Sequence, residues 1–392
     1  MQNELLNWLM ANYGQEVMRP GLERIRLALK EIKPHLEKSK IITIAGTNGK
    51  GETTLRLSQK LDPRPHCVWT SPHIERITER FRNEAGEISI ELLQELIFEC
   101  HESVQNNKWE LSFYEFLFFV FCNWAHRQNP EFILLEVGLG GRFDAVNALD
   151  ADLVLLPSIS RDHQELLGHR YDQILQEKLG VLRKKSSLIH FLESAYLCER
   201  TQASANAVGA KVTSLKQMIS IPEYEFSLRN EILSRAAFSH LIGEEFFSLE
   251  RENNLIPLEH RGESINHQHE FIFFGSHNVD GVRKLIQFLH SATYNFSRPP
   301  YDHVIVAFSR RNLRDIRFMI RMLVKAKIGQ VVVTTFDHPK AMSAQDVEFI
   351  SHEEGSEFVS DIKFFLQELP KNQRVLVTGS YYFMGKFKSL IC

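Results

Sequence analysis

The sequence predicts an α/β protein with a P-loop-containing, mainly parallel-sheet N-terminal domain and a smaller α/β C-terminal domain. Short apolar runs rich in β-branched residues alternate with segments of helical periodicity. Two of these runs stop at glycine-rich turns, which is how a strand–loop–helix unit begins. The chain has 392 residues, enough for two domains, and a polar stretch near 257–269 divides it into predicted domains of residues 1–258 and 259–392.

The composition excludes several classes of protein. Hydrophobic residues make up 43% of the chain and charged residues 24%, which is typical of a folded rather than a disordered protein. The formal net charge of −3 argues against a nucleic-acid partner held by a broad basic surface. Five dispersed cysteines form no C-x-x-C pair and fit a reducing compartment. Because we find neither a secretory signal nor an apolar stretch long enough to span a bilayer, we expect a cytoplasmic protein without a membrane partner.

The periodicity predicts the elements in chain order. Residues 21–37 have helical spacing, with Pro34 at the predicted end of that helix, and 41–45 form a strand that stops at Gly46. Further helices are predicted at 53–61, 91–105, 111–126, 171–183, 228–242, 279–290, 313–326 and 359–368. Further strands are predicted at 132–137, 152–156, 271–274, 304–308, 331–335 and 375–378.

The strongest local signal is the loop A-G-T-N-G-K-G at 45–51, between a predicted strand and a predicted helix. Such a loop presents backbone N–H groups and the positive end of a helix to phosphate oxygens. Its lysine can neutralise the β- and γ-phosphates, although Ile44 stands where the usual P-loop has its first glycine. We therefore predict phosphate binding, rather than a plain glycine turn, by Gly46, Thr47, Asn48, Gly49, Lys50 and Gly51.

Glu52 does not fit this motif easily, because a carboxylate two residues after the lysine repels phosphate. Common P-loops have Ser or Thr near this place. An orientation toward solvent would relieve the repulsion, with Thr53 or Thr54 supplying the hydroxyl group.

Several polar residues follow predicted strands, where parallel α/β sheets bind their ligands. Glu136 ends a buried strand, and either Mg²⁺ or a salt bridge to Arg142 would offset its burial. In the other loops, Ser71 could donate a hydroxyl to Mg²⁺ and His73 could contact substrate, while Asp162 and His163 could ligate metal or orient a ligand. The last two motifs are weak in isolation, and an ordinary surface loop is the alternative for each.

Taken together, these motifs resemble the folylpolyglutamate synthase/dihydrofolate synthase family, relatives of the Mur ligases. The resemblance extends along nearly the whole chain. Its strings, in order, are G-L-E-R-I (21–25), A-G-T-N-G-K-G (45–51), T-S-P-H-I-E-R-I (70–77), L-E-V-G-L-G-G-R-F-D-A-V-N (135–147), D-H-Q-E-L-L-G (162–168), Q-E-K-L-G-V-L (176–182), G-S-H-N (275–278), P-K-A (339–341) and V-L-V-T-G-S-Y-Y-F (375–383).

The resemblance implies an ATP-dependent amide ligase that uses Mg²⁺ and joins L-glutamate to dihydropteroate or folate through an acyl phosphate. It implies a catalytic set of Lys50, His163 and Lys178, the last being the lysine that is carbamylated in this family. It also implies magnesium ligation by Ser71, Glu136 and His163, and nucleotide contacts from His277 and Arg261. Asp150 or Asp152, in L-D-A-D-L, resembles the pterin-pocket aspartate, and the family suggests a monomer.

Several departures from the family pattern leave alternatives open. Phe274 stands in place of an Asp in the usual D-G-A-H-N-P, and segment 226–237 has no clean match to the helix motif H-Q-x-x-N. Weakened ATP use is therefore one expectation, and a degenerate homologue that binds folate or nucleotide without ligating is one alternative. A Mur-type peptidoglycan ligase is another, although T-N-G-K-G and D-H-Q-x-x-L-G argue against it.

Overall fold

A computed structural model describes residues 2–15, 19–244, 258, 261–292 and 299–391. The chain divides into two compact units, one of residues 1–221 and 227–252 and the other of 222–226 and 253–392. The predicted boundary between Leu258 and Glu259 adjoins segments outside the described residues and stays a prediction. No helix in the described ranges has both the length and the apolar character that crossing a bilayer requires.

The first unit is an α/β sandwich. Its strands are β1 (Lys40–Ile44), β2 (His66–Trp69), β3 (Phe81–Asn83), β4 (Gly86–Glu87), β5 (Phe132–Glu136), β6 (Leu153–Leu156), β7 (Ser187–His190) and β8 (Lys211–Ser214). Its helices are α1 (Gln2–Tyr13), α2 (Glu23–Ala28), α3 (Lys33–Leu36), α4 (Lys50–Leu61), α5 (Ile90–Asn107), α6 (Phe113–Gln128), α7 (Gln164–Leu167), α8 (Tyr171–Leu179), α9 (Ala195–Val208) and, from Ser227 onward, α10 (Phe226–Ile242).

The strand order of this sheet is β4-β3-β2-β5-β1-β6-β7-β8, and the pairs from β2 to β8 are parallel. Alternate residues of each strand face opposite cores, as the pleat requires. On β1, Ile41 belongs to the core under α5 and α6, whereas Ile42 and Ile44 belong to the core under α4 and α10. Because the strands are buried on both faces, their sequences are nearly continuous runs of apolar residues.

The second unit repeats this design at a smaller size. Its strands are β9 (Arg261–Asn266), β10 (Glu270–Phe274), β11 (His303–Ala307), β12 (Gln330–Thr334), β13 (Glu357–Val359) and β14 (Arg374–Gly379). In the sheet they lie in the order β13-β12-β11-β14-β10-β9. Only the β9–β10 pair is antiparallel among the described strands of this sheet. Its helices are α11 (Val279–Ala292), α12 (Leu313–Ala326), α13 (Ala344–Glu354), α14 (Ile362–Glu368) and α15 (Tyr381–Ile391).

The predicted fold class is confirmed, and two local predictions are wrong. The segment 21–37 forms two short helices, α2 and α3, and Pro34 lies in the first turn of α3 rather than at a helix end. A proline is tolerated there because the first amides of a helix have no intrahelical acceptor. The polar stretch 257–269, for which no strand is predicted, contains β9, which pairs with β10.

Candidate active site

The first unit gathers four loops at one edge of its sheet. Strands β2, β5, β1 and β6 are adjacent and parallel, so the loops after their last residues lie side by side. These loops contain Ser71 and His73, the segment 136–144, the glycine loop 45–49, and the segment 157–163. The topology therefore brings together the motifs that the sequence places far apart.

The glycine loop is held by the neighbouring loop after β6. The backbone N–H of Thr47 donates to the Ser158 carbonyl at 2.9 Å, and that of Asn48 donates to the Ser158 hydroxyl at 3.0 Å. The Thr47 hydroxyl donates to the Ser160 carbonyl at 3.1 Å. These two amides thus position the loop, and the first amides of α4, after Gly49, have no acceptor within the helix and can donate to phosphate. Sequence reasoning missed the role of Ser158 and Ser160.

Two lysines lie against this loop. The Lys50 ammonium folds back to donate to the Thr47 carbonyl at 3.1 Å, and that of Lys178 donates to the Gly46 carbonyl at 2.8 Å. Lys178 is buried, and burial, followed by the nearby charge of Lys50, lowers its pKa from 10.5 to about 7. Asp162 and Asp144 oppose this change in pKa without overcoming it.

Glu136 and Ser71 form the acidic side of the site. The Glu136 carboxylate is buried and accepts a hydrogen bond from the Ser71 backbone N–H at 3.0 Å. The Ser71 hydroxyl is also buried and makes no hydrogen bond of acceptable geometry within the described residues, although the Tyr114 phenol lies nearby. Oxygen ligands of this kind suit Mg²⁺. The alternative salt bridge from Glu136 is not formed, because Arg142 approaches Glu177 at 3.6 Å instead.

The structure does not add His163 to a metal-ligand cluster. His163 begins α7 with a left-handed backbone (φ 47°), and its side chain is 48% exposed, with Nδ1 3.8 Å from Glu165. Across the described ranges, no three His, Cys, Asp or Glu side chains are placed to hold a metal ion. Its role as a magnesium ligand stays a prediction.

His73 belongs to a buried polar network that sequence reasoning did not identify. The Arg80 guanidinium donates to His73 Nδ1 at 2.9 Å and lies 5.8 Å from the ring centre of Trp69. Arg80 is fully buried, and the Glu79 carboxylate accepts three backbone hydrogen bonds from residues 74–76. The second E-R pair after the S-P-H loop, Glu79–Arg80, was the signal in the sequence that could have identified this network.

Asp144 is a second residue that sequence reasoning missed. Its carboxylate accepts hydrogen bonds from the Leu139 and Val146 backbone N–H groups and from the Tyr114 phenol. Burial raises its pKa to about 6. The negative charge of Asp144 in turn favours the protonated form of Lys178, which raises the pKa of that lysine. An Asp inside E-V-G-L-G-G-R-F-D, at the edge of the sheet where ligands bind, was the signal that could have found it.

Asp150 and Asp152 lie at the opposite edge of the same sheet. Asp152 precedes β6 and accepts a hydrogen bond from the Ile41 backbone N–H at 2.9 Å, near the amino end of β1. Asp150 pairs with Arg183 and with Lys33. Neither residue is brought near the glycine loop, and their predicted place in a pterin pocket stays untested.

Glu52 is buried, so the suggested orientation toward solvent is wrong. Its carboxylate accepts hydrogen bonds from Arg56 and Asn230. Thr54 donates its hydroxyl to the Lys50 carbonyl within α4, whereas the buried Thr53 hydroxyl has no partner in the described part of the chain. Thr53 is therefore the better candidate for the hydroxyl group that the motif usually supplies.

In the second unit, His277 follows β10 and precedes α11, as predicted. Its ring lies 5.3 Å from that of Tyr381, and its Nε2 lies 3.5 Å from the Asn278 amide nitrogen. Arg261 begins β9, and its side chain lies outside the part of the chain that the structure describes. The nucleotide contacts expected of both residues stay predictions.

Comparisons with known proteins give one consistent answer. The chain is 25% identical to the dihydrofolate synthase/folylpolyglutamate synthase of Bacillus subtilis over 414 residues, covering 95% of each chain. It superposes with a TM-score of 0.83 on the folylpolyglutamate synthase of Mycobacterium tuberculosis complexed with ADP, at 18% identity, covering 100% of this chain and 98% of that one.

A further structure has the same fold. The chain superposes with a TM-score of 0.78 on the bifunctional folylpolyglutamate synthase/dihydrofolate synthase of Yersinia pestis complexed with AMPPNP and a Mn ion. The identity is 22%, and the match covers 99% of this chain and 97% of that one. No protein-family model matches the chain.

Proposed function

We propose that this chain is a member of the folylpolyglutamate synthase/dihydrofolate synthase family and an ATP-dependent ligase that adds L-glutamate to dihydropteroate, to folates, or to both. One observation supports this most strongly: the loop bearing Lys50 and the carboxylate of Glu136 lie on neighbouring strands of one sheet edge. Glu136 pairs in register with Ile44, just before the loop. Strand alternation also places Glu136 on the face that packs against α4.

The reaction requires the carboxylate of the acceptor to attack the γ-phosphorus of ATP, releasing ADP and leaving an acyl phosphate. The amino group of L-glutamate then attacks the acyl carbon, and phosphate leaves. Mg²⁺, when bound, offsets charge on the transferring phosphoryl group. The amides that begin α4 and the Lys50 ammonium bind the triphosphate, while Glu136 and the Ser71 hydroxyl are the groups that would hold the metal.

Lys178 supports the proposal through its environment. A lysine with a pKa of about 7 has an appreciable neutral fraction at physiological pH, and the neutral amine is the form that reacts with CO₂. A carbamate there would replace a buried positive charge beside Lys50 by a negative one. We therefore retain carbamylated Lys178 as part of the proposed site.

We propose that Asp144, rather than either of the two aspartates suggested by the L-D-A-D-L string, lies near the bound acceptor. Asp144 lies among the loops at the carboxyl edge, with Tyr114 and Lys178. Asp152 instead accepts a hydrogen bond near the amino end of β1, and Asp150 pairs with Arg183. The monomeric state and the cytoplasmic location expected from sequence remain parts of the proposal.

The degenerate-homologue alternative is weakened by the surroundings of Phe274. Its ring lies 6.1 Å from Phe226 and 6.0 Å from Phe288, so this departure from the family pattern belongs to an aromatic cluster in the second unit. In the first unit, Lys50 and Lys178 both donate to carbonyl groups of the glycine loop, and the Ser71 backbone N–H donates to Glu136. These observations favour an active ligase.

The test offers purified protein MgATP and L-glutamate with dihydropteroate, tetrahydrofolate or a UDP-linked Mur substrate, and identifies products by mass. We expect a pteroate or folate product one glutamyl residue heavier, together with ADP and phosphate. Lys50→Ala should abolish turnover because it removes the counter-charge for the triphosphate. Turnover of the UDP-linked substrate would favour the Mur-type alternative. No ATP-dependent product with any acceptor would favour the degenerate homologue.

A further inference from the structure

Glu52 departs from the Ser or Thr that usually follows the loop lysine, and its surroundings give it a defined position. It is the third residue of α4 and is only 3% exposed. One carboxylate oxygen accepts hydrogen bonds from Nε and a terminal nitrogen of Arg56 at 3.0 and 2.9 Å. The other oxygen accepts a hydrogen bond from the Asn230 amide at 2.9 Å. The carboxylate therefore connects α4 to α10.

Asn230 in turn lies directly against the glycine loop. A Cβ atom on Gly49 would lie 2.5 Å from Asn230 Oδ1 and 2.9 Å from Nδ2, closer than real Cβ atoms approach. Gly49 has a left-handed backbone (φ 88°) and is the residue from which α4 begins. The Asn230 amide thus packs on the turn that aims the first amides of α4.

The charge of Glu52 is offset within a buried cluster. Arg56 also approaches Glu231 at 3.6 Å, and Glu231 pairs with Lys60 at 2.6 Å and with Arg235 at 2.7 Å. Among the residues that the structure describes, two carboxylates therefore face three cations. The expected repulsion between Glu52 and phosphate is reduced, because a buried carboxylate held by a guanidinium has a small net field.

We propose that Glu52 is a positioning residue for the nucleotide: it holds the Asn230 amide against Gly49 and so fixes the turn that receives the triphosphate. A Ser or Thr at this place is too short to reach both Arg56 and Asn230. The inference rests on the proposed function, because it assumes that the loop binds phosphate.

The test is a double-mutant cycle with Glu52→Ala, Asn230→Ala and both together. Isothermal titration calorimetry measures the dissociation constant of MgADP, and steady-state kinetics measure KM for ATP and for L-glutamate. We expect each single variant to weaken MgADP binding about tenfold, and the double variant to weaken it no further, because both remove one contact. KM for L-glutamate should not change.

Lys60→Met is the matched control, because it breaks an ion pair of the same cluster without touching Asn230. It should lower Tm and leave MgADP affinity at the wild-type value. Wild-type MgADP affinity in Glu52→Ala, or additive losses in the double variant, would overturn the inference while the proposed function stands. If Glu52→Ala does not fold, wild-type affinity in Asn230→Ala overturns it equally. If the wild-type protein binds no MgADP, both the inference and the proposed function are contradicted.

Discussion

Replacing Lys178 by methionine should abolish ligation and yet stabilise the first unit at neutral pH. Lowering a lysine pKa from 10.5 to about 7 means that burial of the charged amine destabilises the folded state by roughly 5 kcal/mol. Methionine has a similar shape and no charge. It loses only the hydrogen bond to Gly46, worth about 1 kcal/mol. The net gain in the free energy of unfolding should therefore be roughly 2–4 kcal/mol at pH 6 to 7.

The gain should depend on pH in a defined direction. Because the pKa of Lys178 is lower in the folded chain, the unfolded chain binds more protons between about pH 7 and 10.5. The free energy of unfolding of the wild type therefore rises through that range, whereas that of the variant lacks this contribution. The difference in stability between the variant and the wild type should shrink toward pH 10.

The assay is urea unfolding in CO₂-free buffer, followed by tryptophan fluorescence. Trp8, Trp69, Trp109 and Trp124 all lie in the first unit, so the signal reports the unit that contains Lys178. Lys40→Met, at a side chain that is 63% exposed, is the control and should change little at any pH. A Lys178→Met variant no more stable than wild type at pH 6, or equally favoured at pH 6 and pH 10, would refute this reasoning.

Two further substitutions test the site. Glu136→Gln should lower kcat on the order of a hundredfold and raise the Mg²⁺ concentration required for half-maximal rate, because the amide is a poorer metal ligand; an unchanged Mg²⁺ requirement would exclude Glu136 as a ligand. Gly141→Ala should lower kcat/KM about tenfold or more, because its Cβ would lie 2.9 Å from the carbonyl oxygens of Glu177 and Lys178 and displace Lys178. Gly209→Ala is its control, because it also strains the backbone (φ 77°) but its Cβ would contact nothing closer than 3.5 Å, and equal losses in the two variants would contradict the explanation.

Much of the fold could be predicted from sequence because the parallel strands are buried on both faces. The strand β5 (Phe132–Glu136) lies within the predicted 132–137, and α12 (Leu313–Ala326) matches its prediction residue for residue. The failures are local. A helical pattern over 21–37 does not show that the chain turns between α2 and α3, and β9 pairs through its backbone in a stretch that looks like a polar linker.

The candidate site could be located from the sequence where its residues form a contiguous motif, as in the loop of Lys50. It could not be located where it depends on which loops become neighbours in the fold. The contact of Lys178 with Gly46 spans 132 residues of sequence, and that of Asn230 with Glu52 spans 178. Asp150 and Asp152 show the converse. Their motif is suggestive, but they precede a strand, and only the sheet reveals that this places them at the edge away from the loop.

The decisive step of the proposed reaction is the transfer of the γ-phosphoryl group of ATP, bound by the loop of Lys50, to the acceptor carboxylate. The most direct measurement uses dihydropteroate labelled with ¹⁸O in its carboxylate, with MgATP and L-glutamate, and mass analysis of the phosphate released. Attack by glutamate on an acyl phosphate leaves one carboxylate oxygen on the phosphate, so one ¹⁸O per phosphate is the expected result. Unlabelled phosphate released in step with product would contradict the account.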